Sequence, residues 1–188
     1  MPAPSKREQI LDHALRLFYS NGFHATGVDR IIAEAGVSKK TLYSHFRTKD
    51  ELILATLRKR DELFRNRMMR ETEMHAASPR ERLLAVFDFL GNWFHDKDFS
   101  GCMFINASAE FAEESCPSHM VSAEHKRLVV EYLESLATLA DAREPAELAN
   151  ELNMLMEGAI VYAYVMGDKQ AAGRAREMAR VFVDRQLD

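Results

Sequence analysis

The residues best suited to chemistry lie in one short segment, 38–45, which reads Ser-Lys-Lys-Thr-Leu-Tyr-Ser-His. At helical spacing Leu42 shares one face with Val37 and Phe46, and we expect that face to pack in a core. The opposite face carries cations, hydroxyls and an imidazole, from Lys39, Lys40, Thr41, Tyr43, Ser44 and His45. A helix lying in the major groove of DNA uses such groups to contact base edges and phosphates. The alternative is an ordinary solvated face, which two adjacent lysines alone do not exclude.

Short capped helices are predicted around this segment. A hydroxyl residue followed three positions later by an acidic one is the capping-box spacing, and it occurs at Ser5–Glu8, Thr26–Asp29, Thr48–Glu51 and Ser78–Glu81. Ser38 caps the helix over 39–46, and Gly36 closes the helix before it, whose Ile31 and Ile32 are available to the core. Two helices of about eight residues joined through a glycine turn match a helix-turn-helix.

The stretch 36–52, GVSKKTLYSHFRTKDEL, resembles the TetR/AcrR family of regulators. The resemblance covers roughly residues 8–55 and includes Phe18, Gly22, Thr26, Ile31 and Ala35 ahead of the stretch. It implies a repressor that binds a palindromic double-stranded DNA operator as a homodimer and is released by a small-molecule effector. Lys40 stands where the family often has a small residue.

The resemblance also implies roles for individual residues. Lys39, Lys40 and Thr41 head the recognition helix, capped by Ser38, and are the candidates for contact with base edges or the groove. Tyr43, Ser44 and His45 complete its exposed face, with Tyr43 and His45 placed to reach the DNA backbone. Thr26, through its hydroxyl and the helix N-terminus, and Lys49, in the first turn of the next helix, are expected to bind phosphate.

The rest of the chain is also predicted to be helical. Only eight Gly and five Pro interrupt 188 residues, which favours helices over a turn-rich β fold. We therefore predict an all-α fold of about nine helices with two domains. Residues 1–50 form a three-helix, helix-turn-helix DNA-binding domain, and residues 51–188 form a helical ligand-binding and dimerisation domain.

The charge distribution agrees with this division. The net charge is −4, but residues 1–50 hold eight Lys/Arg and five Asp/Glu, while 51–188 hold seventeen and twenty-four. Because salt screens charges beyond roughly 10 Å, the local excess of cations matters more for DNA binding than the total charge. No apolar run approaches the roughly 20 residues of a membrane helix, and the polar start lacks a signal core. A cytoplasmic protein without a membrane partner is therefore expected.

The resemblance implies that the last two helices form the dimer interface. Two apolar stripes on them are predicted to share in dimerisation, the alternative being internal core alone. They are Leu148, Leu152, Leu155, Met156, Ala159, Ile160 and Ala163, and then Ala171, Ala172, Ala175, Met178, Ala179 and Phe182. Aromatic and polar residues of the middle helices are candidates for an effector pocket, although such residues are more often core. They are Trp93, Phe104, Asn106, Glu110 and His119. Effector binding is expected to favour a conformer in which the two heads no longer match the operator.

Other functions find less support in the sequence. The chain lacks a phosphate-binding Gly loop, a nucleophile-elbow Ser and a Cys-x-x-Cys pair, and its seven His show no metal-ligand spacing, so we expect neither an enzyme nor a cofactor or metal. A disulfide between Cys102 and Cys116 is not expected, because one helix through both would place them roughly 21 Å apart. A redox-responsive regulator using Cys102 or Cys116 remains an alternative, as does a transcriptional activator.

Overall fold

The computed structural model of the protein describes residues 4–187, apart from the side chain of residue 75, and over that range it contains nine α-helices and no strand. In chain order they are α1 (Lys6–Asn21), α2 (Val28–Ala35), α3 (Lys39–His45), α4 (Lys49–His75), α5 (Pro79–Phe94), α6 (Met103–Glu110), α7 (Pro117–Leu139), α8 (Pro145–Val165) and α9 (Ala171–Leu187). This confirms the predicted all-α class. None of the helices within residues 4–187 has the length and apolarity needed to cross a bilayer.

Local capping chemistry explains where several helices begin. The Ser5–Glu8 and Ser78–Glu81 boxes both form, with each serine accepting a backbone N–H and each glutamate accepting one in return. The predicted box at the start of α2 does not form. Its N-cap is Gly27 rather than Thr26, and no side chain caps it.

The chain forms two compact units. The first comprises residues 4–63 with 103–124, and the second comprises residues 64–102 with 125–187. α6 and the start of α7 thus cluster with the N-terminal helices, although they come far later in the sequence. The division predicted from the sequence, into a DNA-binding domain of residues 1–50 and a ligand-binding domain of residues 51–188, stays a prediction.

The core of the first unit is built from the predicted apolar faces of its short helices. Phe18 and Phe23 stack with ring centroids 5.3 Å apart, and Ile31, Leu42 and Phe46 are fully or almost fully buried. Gln9 of α1 donates from its side-chain amide to the Ala35 carbonyl at 2.8 Å, which satisfies the C-terminal end of α2. These contacts hold α1, α2 and α3 as one small domain.

In the second unit α5 packs on α8 and α9, and the seam of α8 and α9 is lined by small residues. Most residues of the two predicted apolar stripes lie buried in this intrachain core, with Leu155 and Phe182 half-buried and Met178 exposed. These buried residues pack α8 and α9 within one chain, and the shared role in dimerisation predicted for the stripes stays a prediction.

A different apolar face of α8 and α9 is exposed to solvent. It comprises Met154, Val161, Tyr162 and Val165 on α8 with Met178 and Val181 on α9, and we call it the α8–α9 surface. The α8 members follow helical spacing, so they lie on one side of that helix. A contiguous exposed apolar face of this kind is typical of a protein–protein interface.

Candidate nucleic-acid interface

The turn between α2 and α3 sets the direction of α3. Gly36 ends α2 in the left-handed region, with φ +59°, where glycine has no steric penalty. The backbone N–H of Val37 donates to the Ile32 carbonyl at 3.2 Å, the pattern of a Schellman motif. Ser38 then caps α3, because its hydroxyl accepts the Thr41 N–H at 3.0 Å. Because the left-handed C-cap of α2 is followed almost directly by the N-cap of α3, the backbone of the turn between the two helices is tightly constrained.

One side of α3 is buried and the other faces solvent, as the sequence predicted. Leu42 is fully buried in the core of the first unit, together with Phe46 just after the helix. Six of the predicted DNA-contacting residues are exposed, namely Ser38, Lys39, Lys40, Tyr43, Ser44 and His45, while Thr41 is half-buried. The burial of Leu42 therefore fixes which face a bound nucleic acid would meet.

The polar groups on this face differ in how tightly they are held. The Thr41 and Ser38 hydroxyls lie 2.8 Å apart, and the Ser44 hydroxyl donates to the Thr41 carbonyl at 2.7 Å. Lys39 lies 3.5 Å from Asp29, with both side chains largely in solvent. An exposed ion pair of this kind contributes about 0–1 kcal/mol, so a phosphate can take the place of Asp29.

Lys49 lies at the first position of α4, beside the turn between α1 and α2. The Thr48 hydroxyl accepts the Glu51 N–H at 3.1 Å, and the Glu51 carboxylate accepts the Arg47 N–H at 2.8 Å, so the helix start is firmly capped. The Lys49 ammonium donates to the His24 carbonyl at 3.4 Å in an exposed contact. This long contact leaves donor capacity for a phosphate.

Thr26 does not have the geometry that the sequence suggested. Its side chain is fully buried, and its hydroxyl donates to the Gly22 carbonyl at 2.7 Å, with a longer contact of 3.3 Å to the Leu17 carbonyl. The predicted phosphate contact through this hydroxyl is therefore wrong, because the group is inside the core and already hydrogen-bonded. Thr26 instead closes the turn between α1 and α2.

The substitution Thr26→Val tests this structural role. It keeps the side-chain shape and removes the buried donor, so we expect the free energy of unfolding to fall by about 1–3 kcal/mol. The dependence of DNA affinity on salt should not change, since no phosphate contact is lost. Urea denaturation and binding titrations at several salt concentrations measure the two quantities. A smaller salt slope with unchanged stability would restore the phosphate role.

Glu110, the last residue of α6, holds the same turn from the other side. Its carboxylate accepts the backbone N–H groups of Phe23 and His24 at 2.8 and 2.6 Å, and it lies 2.9 Å from the His24 Nδ1. Gly22 has a φ of +85°, which favours glycine, and a Cβ there would come within 2.9 Å of the Glu110 Oε1 and displace the carboxylate. The adjacent Phe111 ring packs on Phe23 and His24, with centroids 5.7 and 4.9 Å apart.

These contacts change the acidity of Glu110. Burial alone would raise its pKa, but the hydrogen bonds from the backbone N–H groups of His24 and Phe23, and from the His24 side chain, outweigh burial and lower the pKa below its ordinary value. The carboxylate thus stays ionised near neutral pH. Glu110 was predicted as an effector contact; in this geometry both of its oxygens bind the turn, and the effector role stays a prediction.

The other effector candidates are divided between the two units. In the second unit, buried Trp93 meets Phe64 and Phe99 edge to face, with ring centroids 4.9 and 5.1 Å apart. In the first unit, Phe104 is buried and Asn106 half-buried on α6, and the His119 Nδ1 lies 2.9 Å from the Phe111 carbonyl. His119 therefore contacts the backbone just after the end of α6, and its role in effector binding stays a prediction.

The capped helix-turn-helix and its exposed, donor-rich α3 define a DNA-binding transcriptional regulator. A family model described as bacterial regulatory proteins, tetR family, matches residues 10–56, and one described as the tetracyclin repressor-like C-terminal domain matches residues 79–179. Together they cover more than half of the chain. The protein belongs to the TetR family, which confirms the resemblance drawn from residues 8–55.

Individual relatives agree with this assignment. LmrA, an HTH-type transcriptional regulator of Bacillus subtilis, is 30% identical over 82% of this chain and 84% of its own length. FasR, an HTH-type transcriptional activator of Mycolicibacterium smegmatis, is 34% identical over 62% of this chain, a match that spans only 57% of FasR. SCO4454, a TetR-family transcriptional regulator from Streptomyces coelicolor, superposes with a TM-score of 0.90 at 27% identity, covering 97% of this chain and 96% of that one.

Proposed function

We propose that this regulator is a repressor that binds a palindromic operator as a homodimer and is released by a small-molecule effector. The observation that carries the proposal is α3, whose buried Leu42 turns Lys39, Lys40 and Tyr43 outward from a capped, rigid turn. A recognition helix of seven residues reads few base pairs, so two-fold symmetry is needed to pair it with a second half-site. Its site of action is operator DNA, and we therefore place the protein in the cytoplasm.

We assign sequence choice and general affinity to different residues. Lys39 and Thr41 at the head of α3 are assigned to base edges, with Lys40 beside them. Tyr43, His45 and Lys49 are assigned to the phosphate backbone on either side. Phosphate contacts supply affinity and salt dependence, whereas contacts to base edges supply sequence preference.

Selection of bound sequences from random DNA, followed by titrations with alanine variants, tests this division. Tyr43→Ala and Lys49→Ala should weaken binding to all sequences alike, and Lys49→Ala should reduce the salt slope by about one. Lys39→Ala and Thr41→Ala should instead change the ranking of operator variants, by about 1–3 kcal/mol at the contacted position. Lys97→Ala, an exposed lysine of the second unit, is the matched control and should leave binding unchanged. Equal losses on every operator variant from all four substitutions contradict the assignment.

The α8–α9 surface supports the homodimer. Its exposed apolar residues include Tyr162, Met178 and Val181, and aromatic and Met side chains are enriched in interfaces. Tyr162 and Met178 also line a groove between α8 and α9, whose floor is formed by small residues such as Gly158 and Ala175. A groove beside a protruding aromatic ring suits an isologous contact, in which the same patch serves both subunits.

Buried polar groups of the second unit support an effector site among its helices. The hydroxyls of Thr72 on α4 and Tyr132 on α7 lie near each other, but neither makes a hydrogen bond of good geometry to the described part of the protein. An apolar interior with a few unsatisfied polar groups is the usual form of a ligand site. We propose Thr72, Tyr132 and Trp93 as effector contacts, while the roles of Phe104 and Asn106 stay predictions.

An activator is the alternative with specific support, because the relative FasR is an HTH-type transcriptional activator. Repressor and activator differ in where the operator lies relative to the promoter, so mapping the selected sequence onto promoters distinguishes them. A thiol-based response through Cys102 or Cys116, both free cysteines, is the other alternative.

A further inference from the structure

A crevice of about 350 Å³ lies in the first unit between the starts of α4 and α7, and we call it the α4–α7 crevice. Asp50, Glu51 and Leu54 line it from α4, Phe111 lines it from the segment after α6, and Ser118 lines it from α7. Ligand pockets in proteins begin at about 300 Å³. Because a water molecule takes up roughly 30 Å³, the crevice has room for a molecule of about ten to twelve non-hydrogen atoms.

The wall that α7 contributes offers hydrogen-bond donors. Ser118 is only 5% exposed, yet its hydroxyl makes no hydrogen bond within residues 4–187, and only its backbone carbonyl is engaged, by the Ser122 hydroxyl at 2.9 Å. A buried polar group without a partner in the protein requires one from a ligand or from water. α7 is 23 residues long and has no acidic residue in its first turn, so the partial positive charge at its N-terminus is not neutralised by its own side chains. This wall suits a carboxylate.

The wall that α4 contributes has the opposite character. The Asp50 side chain is exposed and forms no ion pair within the described part of the chain. Glu51 accepts the Arg47 N–H through its Oε2 at 2.8 Å, so its other oxygen is not used in that contact. Carboxylates bind ammonium groups through charge-assisted hydrogen bonds, and this wall therefore suits an ammonium group.

The remaining surface of the crevice includes two apolar side chains. Leu54 and Phe111 are both half-buried, and each lines the crevice. The Phe111 ring is held in place by Phe23 and His24, whose ring centroids lie 5.7 and 4.9 Å from its own. A fixed aromatic ring beside an aliphatic side chain suits an apolar group of a ligand.

We propose that the α4–α7 crevice is a binding site for a free α-amino acid with an apolar side chain. The ligand carboxylate binds the Ser118 hydroxyl and the start of α7, and the ligand ammonium binds Asp50 and Glu51. The ligand side chain packs on Leu54 and Phe111. A molecule with only one of the two charges leaves one wall without a partner, so recognition requires both charges.

Titration of the full-length protein with L-phenylalanine, followed by amide NMR shifts in the absence of DNA, tests the proposal. We expect a Kd of about 1 mM or lower, with shift changes centred on residues 50–54 and 116–118. Phenethylamine lacks the carboxylate of phenylalanine, and 3-phenylpropionate lacks its ammonium. Each of these two ligands should bind at least about tenfold more weakly than phenylalanine.

Variants then assign the two contacts. Ser118→Ala and Asp50→Asn should each raise the Kd for phenylalanine by about fivefold or more, because each removes a hydrogen-bonding group or a charge from one wall. Ser115→Ala and Glu62→Gln change an exposed serine and an exposed glutamate outside the crevice, and they should leave the Kd unchanged.

The proposal is overturned if phenylalanine does not bind up to about 10 mM, or if its shift changes are confined to the second unit. Equal affinity for phenylalanine and phenethylamine, or for phenylalanine and 3-phenylpropionate, would also overturn it. So would an unchanged Kd in Asp50→Asn, whose exposed position makes misfolding no explanation. Because the titration contains no DNA, its result does not depend on the proposed operator binding, and either inference can fail alone.

Discussion

Tyr162→Glu is expected to convert the proposed homodimer into a monomer and to abolish operator binding at the concentrations where the wild-type protein binds. In the single chain Tyr162 is 53% exposed and belongs to the α8–α9 surface. In a two-fold dimer the substituted residue enters the interface once from each subunit, so two unpaired carboxylates would be buried there. We expect the dimer dissociation constant to rise at least about 100-fold, which corresponds to about 2.7 kcal/mol.

The loss of operator binding follows from the loss of linkage between the two heads. A dimer binds its second half-site as an intramolecular event, and such linkage contributes about 10²–10⁴ in affinity. The Tyr162→Glu monomer should therefore bind a full operator no more tightly than it binds a DNA fragment that carries a single half-site. Sedimentation over a range of protein concentrations measures the dimer, and fluorescence anisotropy with full and half operators measures DNA binding.

A control must separate a surface effect from a general effect of added charge. Leu139, at the end of α7, is 62% exposed and lies outside the α8–α9 surface, so Leu139→Glu should remain a dimer with normal DNA affinity. Tyr162→Ala, which adds no charge, should weaken the dimer less than Tyr162→Glu. A Tyr162→Glu protein that sediments as a dimer would place the interface elsewhere.

Glu110→Ala is expected to weaken operator binding by about tenfold or more while leaving the dimer intact. The substitution removes the acceptor of two backbone N–H groups, one of them on fully buried Phe23. A buried donor left without a partner costs about 1–3 kcal/mol, so the turn before α2 should rearrange. Because the Lys49 ammonium contacts the His24 carbonyl in this turn, the displacement reaches a proposed phosphate contact.

Acid should remove the stabilisation that Glu110 provides. Its pKa in the folded protein lies below the ordinary value of 4.5, so the contribution is fully present above that value and is lost as pH falls through the lower folded pKa. Glu110→Gln keeps the shape but not the charge. The difference in unfolding free energy between wild type and Glu110→Gln should therefore be constant near neutral pH and shrink under acid conditions.

Amide hydrogen exchange gives a local readout of the same contact. Exchange at Phe23 and His24 should accelerate in Glu110→Ala, because these two N–H groups lose their acceptor. Glu114, an exposed residue just beyond α6, offers the matched control, and Glu114→Gln should change neither exchange nor operator affinity. Normal exchange at both amides in Glu110→Ala would show that the carboxylate does not hold the turn.

The helix-turn-helix was predictable from sequence because its determinants are local. Gly36 supplies the left-handed C-cap, Ser38 supplies the next N-cap, and Leu42 at helical spacing sets the buried face of α3. Each of these features depends on residues within a few positions of one another. The failure at Thr26 has a local cause as well, since a threonine before a helix fits both a cap and a buried turn, and only packing selects between them.

The role of Glu110 had no signal in the sequence, since it is separated by 86 and 87 residues from the groups it binds. The exposed apolar face of α8 was missed for a different reason. That helix is apolar on more than one side. Periodicity alone therefore could not distinguish its buried side, which includes Leu152 and Met156, from its exposed side, which includes Tyr162 and Val165. The sequence by itself determined the helices, most of their caps and the exposed face of α3, because capping and periodicity act over a few residues. Only the tertiary structure decided which apolar face of α8 stays exposed and which carboxylate reaches a distant turn, because those contacts form between helices that the chain brings together only on folding.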